Sequence, residues 1–291
     1  MSNIFWIGLT EFIHVLFEDS ETLQTMFEKA CYRNNYTFIN VCLLLKIVDP
    51  SADKNLPIRL ASEYGHTSLV DLLLQDVRVD PSAENNYAIC YASNYGFTSI
   101  VDRLLQDVRV DPSGNYNYAI KLASQYGHIE VVNRLLQGDR STKCVDPAAE
   151  INFAICFASD SGHIAVVDRL LQDSRVDPSD DSNLSIRLAS KNGHVEVVDR
   201  LLQEPPSKCV NPGALKNYAI RTASQEGNLA VVDRLLQDCR VDPTAGKNIA
   251  LWMAKKYGNK AVVNRLLQDI RVKRSTTVLG MIHDFLENLT R

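Results

Sequence analysis

The side chains in this 291-residue sequence that could do chemistry recur in rows rather than gathering in one place. Four histidines, His66, His128, His163 and His194, each follow a glycine, and Asn228 and Asn259 take the same position further on. A metal needs several ligands at one point, whereas these are spread along the chain. Exchange with asparagine points instead to hydrogen bonding at a helix start. Seven cysteines occur without a CxxC pair, and their odd number and spacing do not resemble a secreted disulfide framework, so a reducing, intracellular compartment (cytoplasmic or nuclear) is expected. Asp102, Asp168, Asp199 and Asp233 stand beside Arg103, Arg169, Arg200 and Arg234. Arg103 and Asp107 have i,i+4 spacing, which predicts an ion pair on a solvated helix face. There is no GxxxxGK[ST] phosphate loop, no GxSxG elbow and no HExxH helix. The reading is of no catalytic residue, no metal site and no cofactor.

The elements that carry these rows are copies of one stretch, Asn117 to Gln137, NYAIKLASQYGHIEVVNRLLQ. Ala119, Leu122, Ala123 and Tyr126 form one stripe at helical spacing; Val131, Val132, Leu135 and Leu136 form another after Gly127. This predicts two antiparallel helices per copy. The glycine recurs at Gly65, Gly96, Gly127, Gly162, Gly193, Gly227 and Gly258, at steps of 31, 31, 35, 31, 34 and 31 residues, and Asn34 extends the series backward. A fixed period of this size marks a repeat architecture. Asn55, Asn86, Asn117, Asn152, Asn183, Asn217 and Asn248 stand where a side-chain oxygen can cap the first helix, and each glycine can end it in the left-handed conformation. Each Asp-Pro, as in Arg78-Val79-Asp80-Pro81, marks a turn.

A polar start, a short helix ending in Ala-Ser, then Gly-His and a Val-Val, Leu-Leu helix resembles the ankyrin repeat family, as in YAIKLAS, YGHIEVVNRLL and NGHVEVVDRLL. The family's Thr-Pro-Leu-His opening is replaced by forms such as Tyr118-Ala119-Ile120-Lys121, and the usual period of 33 is mostly 31 here. The cadence is also similar to arrays common in protists and their large DNA viruses. The resemblance covers roughly residues 20 to 274. It implies an all-α solenoid of stacked antiparallel helix pairs joined by short finger turns, and a non-enzymatic scaffold for protein–protein interaction through a concave face. Stacking supplies what one pair lacks, since neighbours bury their apolar faces jointly.

Eight repeats are expected, at 20–50, 51–81, 82–112, 113–147, 148–178, 179–212, 213–243 and 244–274, with capping helices at 1–19 and 275–291. The first repeat is degenerate, as end repeats often are. Repeats four and six carry insertions, Gly138 to Lys143 and Glu204 to Lys208, that lead to Cys144 and Cys209. The formal charge of -4, with Lys and Arg scattered among acids, gives no support for nucleic-acid or anionic-membrane binding. No stretch approaches the roughly 20 apolar residues of a membrane helix. A monomer that binds a protein partner is expected. The alternative is a substrate adaptor whose terminal helix recruits a ubiquitin ligase or other machinery.

By the same resemblance, a partner would meet the finger tips and the two residues before each glycine. These are Glu63 and Tyr64, Asn94 and Tyr95, and Gln125 and Tyr126, with the finger residues Asn85 and Tyr116 expected beside them. Tyrosine suits recognition because it joins a large apolar area to a hydroxyl with few rotatable bonds. Three in one register on consecutive repeats would make a ladder with a spacing of about 10 Å.

Overall fold

The structure, a computed structural model, describes residues 23–137, 144–204, 208 and 210–278. Among them every regular element is a helix, and the helices come in pairs. In chain order the pairs are α1 (Leu23–Tyr32) and α2 (Tyr36–Leu44), α3 (Ala52–Glu63) and α4 (Thr67–Leu73), α5 (Ala83–Asn94) and α6 (Thr98–Leu105), and α7 (Gly114–Gln125) and α8 (Ile129–Leu136). They continue as α9 (Ala149–Ser161) and α10 (Ile164–Leu171), α11 (Asp180–Asn192) and α12 (Val195–Leu202), α13 (Ala214–Glu226) and α14 (Leu229–Leu236), and α15 (Ala245–Lys256) and α16 (Lys260–Gln268). Residues 270–278 are also helical, across the boundary expected after Arg274. The expected N-terminal cap, the insertion Gly138 to Lys143 and most of the second insertion lie outside the described residues.

The chain divides into two compact bodies, residues 1–119 with 137–144, and residues 120–136 with 145–291. Within the first, α1 packs on α3 and α3 on α5, while α2 packs on α4 and α4 on α6. Within the second, α9, α11, α13 and α15 follow one another in the same way, as do α8, α10, α12, α14 and α16. First helices thus pack on first helices and second on second, the helix-pair stacking of a solenoid.

The burial pattern explains why the repeat is spelled as it is. Ile58, Ile89, Ile155, Ile186 and Ile220 hold one register of the first helices and are fully buried, as are Val70, Val101, Val132, Val167, Val198 and Val232 in the second helices. The alanine and serine near the end of six of the first helices are buried too, Ser62, Ser93, Ser124, Ser159, Ser190 and Ser224 completely. Small side chains there let neighbouring helices approach closely.

The conserved-in-register asparagine does not cap its helix, contrary to the expectation. It is the last of three consecutive left-handed residues, as in Glu84 (φ 54), Asn85 (φ 57) and Asn86 (φ 64), and the same triplet opens the first helix of seven repeats. Asn86 is buried, and its Oδ1 accepts the backbone N–H of Asp111 at 2.7 Å. Asn55 does the same for Asp80, Asn152 for Asp177, Asn183 for Asn211 and Asn217 for Asp242. The side chain ties the start of a repeat to the turn that closes it. Left-handed residues cost roughly 1–2 kcal/mol each, least for asparagine, so the triplet needs such a tie to persist. A second tie is an arginine four residues further on: Arg59, Arg187 and Arg221 donate to the carbonyls of Asp53, Asp181 and Leu215, the first residues of their triplets.

Four of the described closing turns are built on two carboxylates, Asp76 and Asp80, Asp107 and Asp111, Asp173 and Asp177, and Asp238 and Asp242. Asp107 takes Nε and Nη2 of Arg109 in a bidentate pair at 2.9 and 2.6 Å, and the free Nη1 of Arg109 donates to the carbonyl of Val79 in the preceding repeat. Arg78, Arg175, Arg240 and Arg271 repeat the arrangement. The aspartate before proline then accepts the N–H and hydroxyl of the following serine or threonine, as Asp80 does from Ser82.

Candidate interaction surface

The predicted site residues fall at two kinds of position in the repeat rather than one. Glu63 and Tyr64, Asn94 and Tyr95, and Gln125 and Tyr126 stand where their first helices end. Asn85 and Tyr116 are the middle residues of the left-handed triplets that open α5 and α7. Tyr95 is nine steps along the helix from Asn86, about 13.5 Å at 1.5 Å per residue. The finger residues therefore do not sit beside the tyrosines, which corrects the expectation. Both are accessible: Tyr116 is exposed, and Tyr64, Tyr95 and Tyr126 keep 45%, 49% and 51% of their surface in water.

In the first body the tyrosine row begins one repeat earlier than expected. Tyr32, itself half exposed, meets Tyr64 edge to face with centroids 4.6 Å apart. The nearby Glu63 carboxylate raises the Tyr64 pKa, helped by partial burial and by the phenols of Tyr32 and Tyr95, so Tyr64 stays a neutral hydroxyl at any ordinary pH. Tyr126 holds the equivalent position in the second body.

Between the two positions runs an aromatic stripe that the sequence reading missed. Tyr87 and Tyr91, one helical turn apart on α5, stack at 4.0 Å, and the Arg59 guanidinium lies 5.2 Å from the Tyr87 ring centre. The Tyr87 hydroxyl donates to Glu63 at 2.9 Å. Burial and that bond raise the Tyr87 pKa well above the usual tyrosine range. The second body repeats the pattern with Phe153 and Phe157 on α9, and with Tyr218 between the guanidinium groups of Arg187 and Arg221. The signal was present as aromatic residues one and five positions after the asparagine.

The histidines bond backward across a repeat. His66, at the start of α4, places Nε2 2.9 Å from the carbonyl of Tyr32; His163 and His194 do the same to Gln125 and Asp160. Asn228 and Asn259 donate Nδ2 to the carbonyls of Lys191 and Gln225. The exchange of His for Asn preserves that hydrogen bond. The arginine row is likewise an inter-repeat device: Arg103 pairs with Asp71 at 3.1 Å and not with Asp107, Arg200 with Asp168, Arg234 with Asp199 and Arg265 with Asp233.

Burial holds the Cys31 thiol at about 12 and the Cys42 and Cys156 thiols at about 11, so they are protonated and unreactive near neutral pH. Among the described residues no three His, Cys, Asp or Glu side chains gather as a metal would require, and no helix is long and apolar enough to cross a membrane. The arrangement offers rows of half-exposed rings, hydroxyls and amides on a framework of hydrogen-bonded turns.

Tandem helix pairs, each closed onto itself and bonded to its predecessor, define a helical repeat protein. The family model described as ankyrin repeats (3 copies) matches residues 58–148, 89–182, 120–212 and 186–276, and the chain belongs to the ankyrin repeat family. Ankyrin repeats generally mediate protein–protein interaction, and the family is typically non-enzymatic. No curated protein matches the chain.

Proposed function

We propose that this protein is a non-enzymatic scaffold that binds a protein partner through the exposed ends and outer stripe of its first helices. The observation that supports it best is the contrast within one register system. Positions that hold repeats together keep their identity, whereas the residues before the glycines change from Tyr64 and Tyr95 to Asn192 and Glu226 and remain exposed. A half-exposed ring held by its neighbours, as Tyr64 is by Tyr32 and His66, meets a partner at little entropic cost.

The test is affinity capture from lysate with the wild type beside the Tyr64→Ala, Tyr95→Ala, Tyr126→Ala triple variant, each checked for helical content and cooperative melting. A partner recovered by the wild type and lost by a folded triple variant supports the reading. Equal recovery removes the tyrosine row from the interface. The adaptor alternative would rest on residues 1–19 or 275–291, of which only 275–278 are among those described.

A further inference from the structure

The repeats differ sharply in charge. Residues 213–274 contain twelve Lys and Arg against five Asp and Glu, although the whole chain carries -4. This corrects the expectation of evenly scattered charge. The arginines and acids of this segment are mostly committed: Arg234 to Asp199, Arg240 to Asp238, Arg265 to Asp233 and Arg271 to Asp269. The lysines are not, and among the described residues no carboxylate lies within ion-pair distance of Lys255, Lys256 or Lys260, all exposed.

Part of the surface they occupy, at Lys255, is one that earlier repeats bury. Lys255 stands in the register of Ser190 and Ser224, which the next repeat covers completely. Gly258 stands in the register of Gly193 and Gly227, against which Asn228 and Asn259 pack, yet among the described residues nothing would meet a Cβ at Gly258 within 4 Å. The result is an open groove of about 340 Å³ lined by Ala254, Lys255, Gly258, Lys260, Val263 and Asn264. Beside it the Lys256 ammonium lies 4.9 Å from the Trp252 ring centre and 5.4 Å from that of Tyr257, and both rings are half exposed.

We propose that Trp252, Lys255, Lys256, Tyr257 and Lys260 form a second docking site, for an acidic segment of a partner protein in which carboxylates are interspersed with apolar side chains. Clustered ammonium groups without carboxylate partners attract negative charge, and the groove floor of Ala254 and Val263 accepts apolar groups. Nucleic acid fits less well, because a base stacks on an open aromatic face and Lys256 already stands over both rings. Four of the arginines that would grip phosphate bidentately, Arg234, Arg240, Arg265 and Arg271, are engaged with aspartates.

The site is tested on the full chain by fluorescence anisotropy with three labelled probes: a peptide of repeated Glu-Glu-Leu, its Gln-Gln-Leu counterpart and oligo-dT. The Glu-Glu-Leu peptide should bind tightest, weakening at least about tenfold as salt rises from about 0.05 M to 0.5 M. The Lys255→Glu, Lys256→Glu, Lys260→Glu variant should lose this binding, and Trp252→Ala should weaken it with the charge unchanged. Circular dichroism melting confirms that each variant folds. The triple tyrosine variant should bind the peptide as the wild type does, which separates failure here from failure of the first interface. The proposal is overturned by equal binding of acidic and neutral peptides, by tighter binding of oligo-dT, or by a folded charge-reversal variant that keeps its affinity. Concentration-dependent self-association abolished by the lysine changes would assign the surface to a second copy and equally overturn it.

Discussion

The imidazole of His163 fills the space that a Cβ on Gly127 would need, with Nδ1 only 2.5 Å from that position. The same ring bonds the carbonyl of Gln125 through Nε2 at 3.0 Å. The glycine therefore serves twice, adopting a φ of +77° and leaving room for the following repeat. The first need is local and the second is tertiary.

These two needs separate by mutation. Gly193→Ala meets Asn228 at 2.9 Å and carries a φ of +84°, whereas Gly258→Ala carries a φ of +78° with nothing nearby among the described residues. Both should lose roughly 1–2 kcal/mol for the left-handed backbone. Gly193→Ala should lose at least about 1 kcal/mol more, as an overpacked site does. Urea denaturation followed by circular dichroism measures the difference, and equal losses would show that only the backbone conformation matters.

The buried asparagine allows a sharper experiment. Asn217→Ala removes the acceptor for the Asp242 N–H and places alanine at a φ of 60°, so it should cost on the order of 2–4 kcal/mol. Asn217→Gly accepts the same φ without strain and should recover part of that loss, while the hydrogen bond remains missing. A glycine variant as unstable as the alanine variant would assign the whole effect to the hydrogen bond.

How far the sequence showed this framework depends on whether an interaction is local. Helix pairs and the buried Ile, Val and Leu registers follow from periodicity, because each stripe has to face a neighbour. The role of Asn86 was misread because its partner Asp111 is 25 residues away, and asparagine is equally favoured as a cap and in the left-handed region. Arg103 was paired with Asp107 by helical arithmetic, but α6 ends at Leu105 and Asp107 lies in the turn, where Arg109 takes both its oxygens. Asp71, one repeat earlier, is brought to Arg103 only by stacking. For the candidate surface, the tyrosine register was legible, while the Tyr87 and Tyr91 stack was not singled out and the separation of Asn85 from Tyr95 required the left-handed turn.

Acid should loosen the turns. Asp76, Asp107, Asp173, Asp238 and Asp269 all have pKa values below the ordinary carboxylate range, chiefly because arginine donates to the charged form. A depressed folded pKa contributes stability that is fully present above the unfolded value of about 3.9 and is lost as pH falls through the folded value. Melting temperature should therefore hold from neutrality to about pH 5 and fall steeply below about pH 4. Asp107→Asn removes one such contribution, and after discounting for solvent screening the loss at neutral pH should be on the order of 1 kcal/mol. Its stability deficit should shrink as pH falls below about 4, where the wild-type carboxylate is itself protonated. A deficit independent of pH would mean that the side chain acts by shape rather than charge.

The buried serines make the opposite prediction from most core changes. Ser190 and Ser224 are fully buried, and their Oγ atoms have no hydrogen-bond partner. A buried polar group without a partner costs roughly 1–3 kcal/mol, so deleting the hydroxyl should relieve part of that cost. Ser190→Ala and Ser224→Ala should be neutral or stabilising by up to about 1 kcal/mol, raising the denaturation midpoint without changing its slope. Ser190→Val keeps the site apolar but adds volume between α11 and α13, and should lose about 1–3 kcal/mol. The pair of results distinguishes a residue retained for its size from one retained for its hydroxyl. Destabilisation by the alanine changes would establish that the hydroxyl makes a hydrogen bond in solution.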